Sequence, residues 1–207
     1  MEAMPQEPEA KERAIRLHCA EGNYDLAFSE TWSLYREEML HFLIGAMCDE
    51  AAAQEVFSAF SEELWKGLPA FRWESSLRTW GYRLLKAACF RYLNSPKRRE
   101  QPASNPMQSE QAAQNRSSTN PWLKTDVKRR FAEIREALDP NDQIVLLLRI
   151  NRQMSWAEIA RIMDDGEEPL TEAMVRRKAA ALRQHFHRIK EQLREMASAA
   201  GLIPPDA

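Results

Sequence analysis

The stretch "FRWESSLRTWGYRLLKAACFRYL", Phe71 to Leu93, places six aromatic rings and five basic side chains in one short segment. Aromatic faces can stack on unpaired bases while neighbouring cations hold phosphates, so this mixture points to single-stranded nucleic acid. Laid on a helix of about 3.6 residues per turn, Leu77, Trp80, Gly81, Leu84, Leu85, Ala88 and Tyr92 share one broad face, which is the expected core. The opposite face gathers Thr79, Tyr82, Arg83, Lys86 and Phe90, with both rings expected towards solvent. Phe71, Arg72 and Trp73 extend that surface through the preceding loop. The alternative is that Tyr82 and Phe90 pack on a neighbouring helix.

A second cationic feature lies further on. "SWAEIARIM", a turn, and a long helix carrying Arg176, Arg177, Lys178 and Arg183 have the layout of a helix-turn-helix, whose second helix enters a major groove. Ser155 and Glu158 stand at capping-box spacing, and the final helix is expected from about Thr171 to Ala197. The competing reading is a solvated helix in an α-hairpin.

Other chemistry finds little footing. His185 and His187 sit two apart on a helix and diverge, and His18 beside Cys19 has no partners at ligand spacing. Cys19, Cys48 and Cys89 are odd in number and lack a CxxC spacing, against both a disulfide framework and a zinc site. With 6 glycines in total there is no phosphate-cradling loop. The expectation is no catalytic residue, no metal and no cofactor, hence not an enzyme.

The elements that must position these groups are helical. Apolar residues recur at spacings of three and four, and alternating β-branched runs are missing, which predicts an all-α fold. Leu26, Trp32, Tyr35, Leu40, Leu43 and Ile44 mark one long amphipathic helix. Asp49 reads as the N-cap of the next, whose Ala53, Val56, Phe57, Phe60 and Leu64 share a face, with Gly67 and Pro69 closing it. A loop over 71–76 and a helix over about 77–93 complete a first domain, 9–95. Residues 96–121, rich in Pro, Ser, Gln and Asn, read as a flexible linker that extends to at most ~85 Å. A second domain over 122–198 opens with Thr125 as N-cap and Val127, Phe131, Ile134 and Leu138 as an apolar stripe, and Pro140 starts its next helix.

Composition sets outer bounds. The chain has 207 residues, 44% of them hydrophobic and 29% charged, and no apolar run approaches the roughly 20 residues of a membrane helix. The acidic, Pro-containing start lacks the order of a secretory signal, so a cytoplasmic protein without membrane insertion is expected. A formal net charge of −2 requires any nucleic-acid surface to be local.

With these residues in view, the sequence resembles the bacterial RNA polymerase sigma factors of the extracytoplasmic-function type. Gln54, Glu55 and Phe57 match a QE-x-F helix of that family's region 2. Leu68, Phe71 and Arg72 match its Leu-x-x-Phe-Arg loop, and Thr79, Trp80, Tyr82 and Arg83 its Thr-Trp-x-Tyr-Arg helix. Leu138, Pro140, Ser155, Trp156, Glu158, Ile159 and Ala160 are similar to region 4.

The resemblance implies a factor that directs core RNA polymerase to promoter DNA. Gln54, Glu55, Ser58 and Glu62, with Trp65, would grip a coiled coil of the β′ subunit. The loop Phe71 to Ser76, Ser75 included, would select a −10 base. Trp80, Tyr82, Arg83 and Lys86 would stabilise the melted strand, without ATP. Arg176, Arg177, Lys178 and Arg183 would contact the −35 element. An anti-sigma protein is a possible further partner.

The chain departs from the family at "DDGEEPLTEA", a longer and acidic turn where the family places three or four residues. Val175 and Arg176 stand where the family's Val-Arg pair would begin the recognition helix. Two rivals remain. A free-standing helix-turn-helix regulator would bind duplex tightly without polymerase, and a helical adaptor would not need Tyr82, Arg83 or Lys86 for any nucleic-acid task.

Overall fold

Five of the helices begin where a polar side chain takes up amide N–H groups that the first turn leaves without partners. The computed structural model describes residues 6–47, 49–95, 130, 133, 134, 137–166 and 168–203, and among these the regular elements are all helical. The fold is all-α. Among the described residues, helices run in the order α1 (Gln6–Ala20), α2 (Tyr24–Met47), α3 (Glu50–Gly67), α4 (Leu77–Leu93), α5 (Pro140–Leu146), α6 (Trp156–Ile162) and α7 (Glu172–Ala199). A 3-10 turn, Leu68–Ala70, follows α3, and a π-helical turn, Leu147–Asn151, continues α5.

The caps follow the sequence reading closely. Asp49 accepts from the backbone N–H of Ala51 at 2.9 Å and of Ala52 at 3.2 Å, opening α3. Ser155 and Glu158 form both halves of a capping box at α6. Thr171 caps α7 through the Met174 N–H. Asp139 caps α5, where Pro140 fills a first-turn position that needs no N–H.

Helix α1 is a departure, since the sequence reading places no helix before Leu26. Its Ile15 is fully buried, and its Glu12 reaches across to the first turn of α4. Helix α2 is the centre of the fold, packing on α1, α3 and α4. Ala27, Thr31, Tyr35, Met39, Phe42 and Leu43 are all buried along it. Thr31 hides its hydroxyl by donating to the Ala27 carbonyl at 2.7 Å.

Helices α2 and α4 approach closely at a glycine. A Cβ on Gly81 would lie 2.5 Å from Met39 Cε, so the methionine terminus would have to shift to admit a side chain there. Around this seam Phe60, Leu64, Leu77, Leu85 and Leu43 are essentially inaccessible. Each such side chain contributes roughly 1.5–3 kcal/mol when withdrawn from water.

The apolar core does not stop at α4. It continues without a break through Leu138, Ile144, Leu148, Met154, Ile159 and Ile189. Helix α4 lies between α3 on one side and α6 on the other, so the first four helices and the last three share one interior. The linker expected over 96–121, together with Thr125, Val127 and Phe131, lies outside the described residues, whereas Ile134 and Leu138 are buried as expected. Among the described residues no helix is long and apolar enough to cross a membrane.

Candidate nucleic-acid interface

The loop before α4 carries a compact aromatic stack. Phe71 lies on Trp80 with ring centroids 4.6 Å apart and planes 20° from parallel, and on Trp73 at 4.8 Å. Trp73 adopts a left-handed backbone, φ 59°, which costs a bulky residue of order 1–2 kcal/mol. Its ring is held by the Arg16 guanidinium of α1, 5.6 Å from the ring centroid. Arg72 is exposed beside the stack, and Ser75 donates to the Ser76 carbonyl at 3.3 Å. Phe71, Trp73 and Trp80 are each half-buried.

Ser76 and Glu12 jointly satisfy the first turn of α4. Ser76 Oγ accepts from the Thr79 N–H at 3.1 Å, and the Glu12 carboxylate accepts from those of Leu77 at 3.2 Å and Arg78 at 3.1 Å. A carboxylate at a helix N-terminus also meets the positive end of its dipole. Thus α1 fixes where α4, and every side chain on it, can point.

The second face of α4 corrects the sequence reading. Thr79, Tyr82 and Lys86 were expected at the surface, yet they are 3%, 1% and 4% exposed. Phe90 is half-buried against the core, and Trp80, Leu84 and Tyr92, assigned to the core face, are only half-buried. The reason is that α4 is covered from two sides, whereas a two-faced helical pattern presumes one covering layer.

Tyr82 packs edge-on against Phe42 at 5.1 Å and donates its hydroxyl to Glu38 at 2.8 Å. The same Glu38 oxygen accepts from Arg78 Nε at 2.9 Å and Nη2 at 2.5 Å. Burial, reinforced by the Glu38 charge, pushes the Tyr82 hydroxyl well above its ordinary pKa. Burial alone would lower that of Arg78, but its hydrogen bond and charge pairing with Glu38 outweigh this and raise it. Arg78 Nη2 further donates to the Arg152 carbonyl at 3.3 Å, joining α4 to the turn before α6.

Two further cations on α4 meet the acidic turn, while Arg91 pairs with Glu63 of α3. Lys86 Nζ donates to Asp165 Oδ1 at 2.7 Å, and Arg83 donates to the Gly166 carbonyl. The neighbouring Asp164, 7% exposed, accepts from Lys178 of α7. Asp164 and Asp165 therefore face opposite sides of the same junction.

Helices α6 and α7 pack through Ala160, Val175 and Ala179, small side chains that allow close approach. An Arg161–Glu172 ion pair at 2.6 Å adds a tie at the rim. Arg176, Arg177 and Arg183 are exposed on α7, while Lys178 is half-buried by its pairing. Further along, Phe186 packs edge-on against Trp156 at 5.3 Å, and the Arg149 guanidinium lies 4.9 Å from the Trp156 ring centroid.

On α3, Gln54, Glu55, Ser58 and Glu62 are exposed, with Glu62 and Lys66 paired at 3.2 Å. Trp65, 40% exposed, ends a run of rings from Phe57 through Trp32 and Phe28, with centroid spacings of 4.9, 5.6 and 5.1 Å. The expected residues therefore fall into three places: the loop stack with α4, the α3 face, and the exposed side of α7. Sequence reasoning missed Glu12, Glu38, Arg16 and Arg152. Each acts across dozens of residues in sequence, and no local spacing signals such partners.

Among the described residues no group of His, Cys, Asp or Glu could hold a metal ion. Comparison with protein-family models and with curated proteins finds no match to this chain.

Proposed function

We propose that this protein is a sigma factor: it binds core RNA polymerase, and in that complex reads a promoter at two elements and holds the melted strand between them. The observation that carries the reading is the pairing of two surfaces of different character in one chain. One is an aromatic stack, Phe71, Trp73 and Trp80, with exposed Arg72 between two of its rings in sequence and Arg83 one helical turn on from Trp80. The other is a helix-turn-helix whose second helix exposes Arg176, Arg177 and Arg183. Rings with cations suit unpaired bases and their phosphates, and a basic helix suits a duplex groove. The order of the Gln54–Phe57, Leu68–Arg72 and Thr79–Arg83 motifs adds the likeness to extracytoplasmic-function sigma factors.

In this reading each surface has one task. The exposed acidic and aromatic edge of α3, Gln54, Glu55, Ser58, Glu62 and Trp65, docks on the polymerase β′ coiled coil. Phe71, Trp73 and Trp80 receive bases that leave the −10 duplex, and Arg72, Arg83 and Lys86 follow the displaced phosphates. Tyr82 is a positioning residue, because its buried ring and its bond to Glu38 set the rotation of α4. Binding energy drives the melting. Helix α7 contacts the −35 duplex, with Arg176, Arg177 and Arg183 on phosphates or guanine edges. A cytoplasmic location follows from this task, and an anti-sigma protein would be a natural antagonist.

Run-off transcription with purified bacterial core polymerase on a pool of genomic fragments tests the reading. Discrete new transcripts that require this protein are the expected result. If none form while the free protein binds duplex DNA at low-nanomolar strength and physiological salt, a free-standing helix-turn-helix regulator replaces the sigma reading.

A further inference from the structure

We infer that the acidic turn after α6 is an internal latch that covers the strand-binding cations of α4 in the free protein. This rests on the reading above and adds its regulation. Lys86 is 5% exposed at its side chain, whereas its partner Asp165 is 85% exposed. The lysine is thus hidden where α4 meets α6 and the acidic turn, and the aspartate reaches it from the solvent side. Arg83 is engaged by the Gly166 carbonyl one residue on. Asp164 ties the same turn to α7 through Lys178, so the turn bridges two parts of the fold instead of hanging free.

The latched cations are those that a displaced strand would need. A carboxylate on Lys86 is an internal stand-in for a phosphate, and both cannot occupy one ammonium group. Geometry adds a second exclusion. One turn of DNA is about 34–36 Å long. Surfaces on α4 and α7 that are bridged by one short turn of chain cannot sit on promoter elements one or more DNA turns apart. Engagement of both elements requires the junction to part, and parting returns Lys86 and Arg83 to solvent.

The Lys86–Asp165 pair biases this opening alongside the apolar core that α4 shares with α6. A buried lysine that loses its carboxylate is costly where it is, and opening relieves that cost by rehydration. Removing Asp165 therefore shifts the population towards the open form. Because the substitution is at a solvent-facing side chain, it leaves the helices intact.

The test uses the full chain, as wild type, Asp165→Asn and Glu168→Gln. The last makes the same charge change at an exposed residue nearby. Amine acetylation read by mass spectrometry reports Lys86 accessibility against exposed Lys66 and Lys190, and a fluorescent mixed-sequence single-stranded 20-mer reports binding. Asp165→Asn is expected to raise both Lys86 labelling and affinity, the latter about fivefold or more, since apparent affinity scales with the open fraction. Glu168→Gln is expected to change neither, and circular dichroism melting should show all three folded. Lys86 labelled as fast as Lys66 in wild type, or equal effects of the two substitutions, would overturn the latch. Raised Lys86 labelling without tighter binding would overturn its role in masking nucleic acid. Run-off transcription reports separately on the sigma reading.

Discussion

The carboxylate of Glu12 on α1 accepts the backbone N–H of Arg78 at 3.1 Å, across 66 residues, while taking the Tyr35 hydroxyl at 2.7 Å. One side chain thereby joins three helices and completes the cap of the helix that bears the candidate site. Glu12→Ala is expected to cost about 1–3 kcal/mol, because it removes a cap and leaves the hydroxyl of buried Tyr35 without its acceptor. Glu12→Gln should lose less, since its amide oxygen can still accept. Urea denaturation measures both, and a cost for Glu12→Ala below about 0.5 kcal/mol would show that Ser76 suffices alone.

Tyr82 and Arg83 are neighbours with opposite consequences. Tyr82→Ala should cost about 3–5 kcal/mol by opening a cavity against Phe42, and Tyr82→Phe about 1 kcal/mol by removing the bond to Glu38. Arg83, partly exposed, should be replaceable by alanine at little cost in stability. In the sigma reading Arg83→Ala abolishes or strongly reduces promoter opening, measured by permanganate footprinting, while co-elution with core polymerase survives. Unimpaired opening by Arg83→Ala would remove that residue from the strand path.

Gly67 lies under the aromatic stack. A Cβ there would meet Trp80 Cζ2 at 2.9 Å, and an indole ring cannot yield as a methionine terminus can. Alanine at a helix end ordinarily stabilises by about 0.4–1 kcal/mol. Here the clash should win, so Gly67→Ala is expected to lower the thermal midpoint and shift tryptophan emission. A raised midpoint with unchanged emission would mean that the stack moves freely.

Alkaline pH should unfold the protein earlier than ionisation of exposed groups would. Burial pushes the Cys89 thiol up from 9.0 to about 12. Tyr35 and Tyr82, each ordinarily near 10.0, are likewise raised by burial, with Glu12 and Glu38 adding to it. All three groups are neutral when protonated, so the folded state binds these protons more tightly than the unfolded one. Their contribution is intact below about pH 9 and is lost as pH climbs towards 12, at up to ~1.4 kcal/mol per unit for each group. Urea midpoints at pH 8, 9.5 and 11 should fall progressively, and Cys89→Ser should alter that slope. A flat profile across this window would show that these groups are not held neutral.

The sequence by itself determined the helical class and most helix starts, because both are local. Asp49, Ser155 and Glu158, and Thr171 sit within one turn of the amides they cap, and the three-and-four spacing of apolar residues is a property of a single helix. It also made the aromatic and basic composition of the 71–93 segment visible. It did not reveal which side of α4 meets water. That was decided by a second covering layer, α6 and the acidic turn, whose Asp165 reaches Lys86 from 79 residues away. Glu12 and Glu38 were hidden for the same reason. A charge that works by lying against another helix has no spacing rule, and only the packing of the whole chain brings Glu38 to Arg78 and Tyr82, and Asp165 to Lys86.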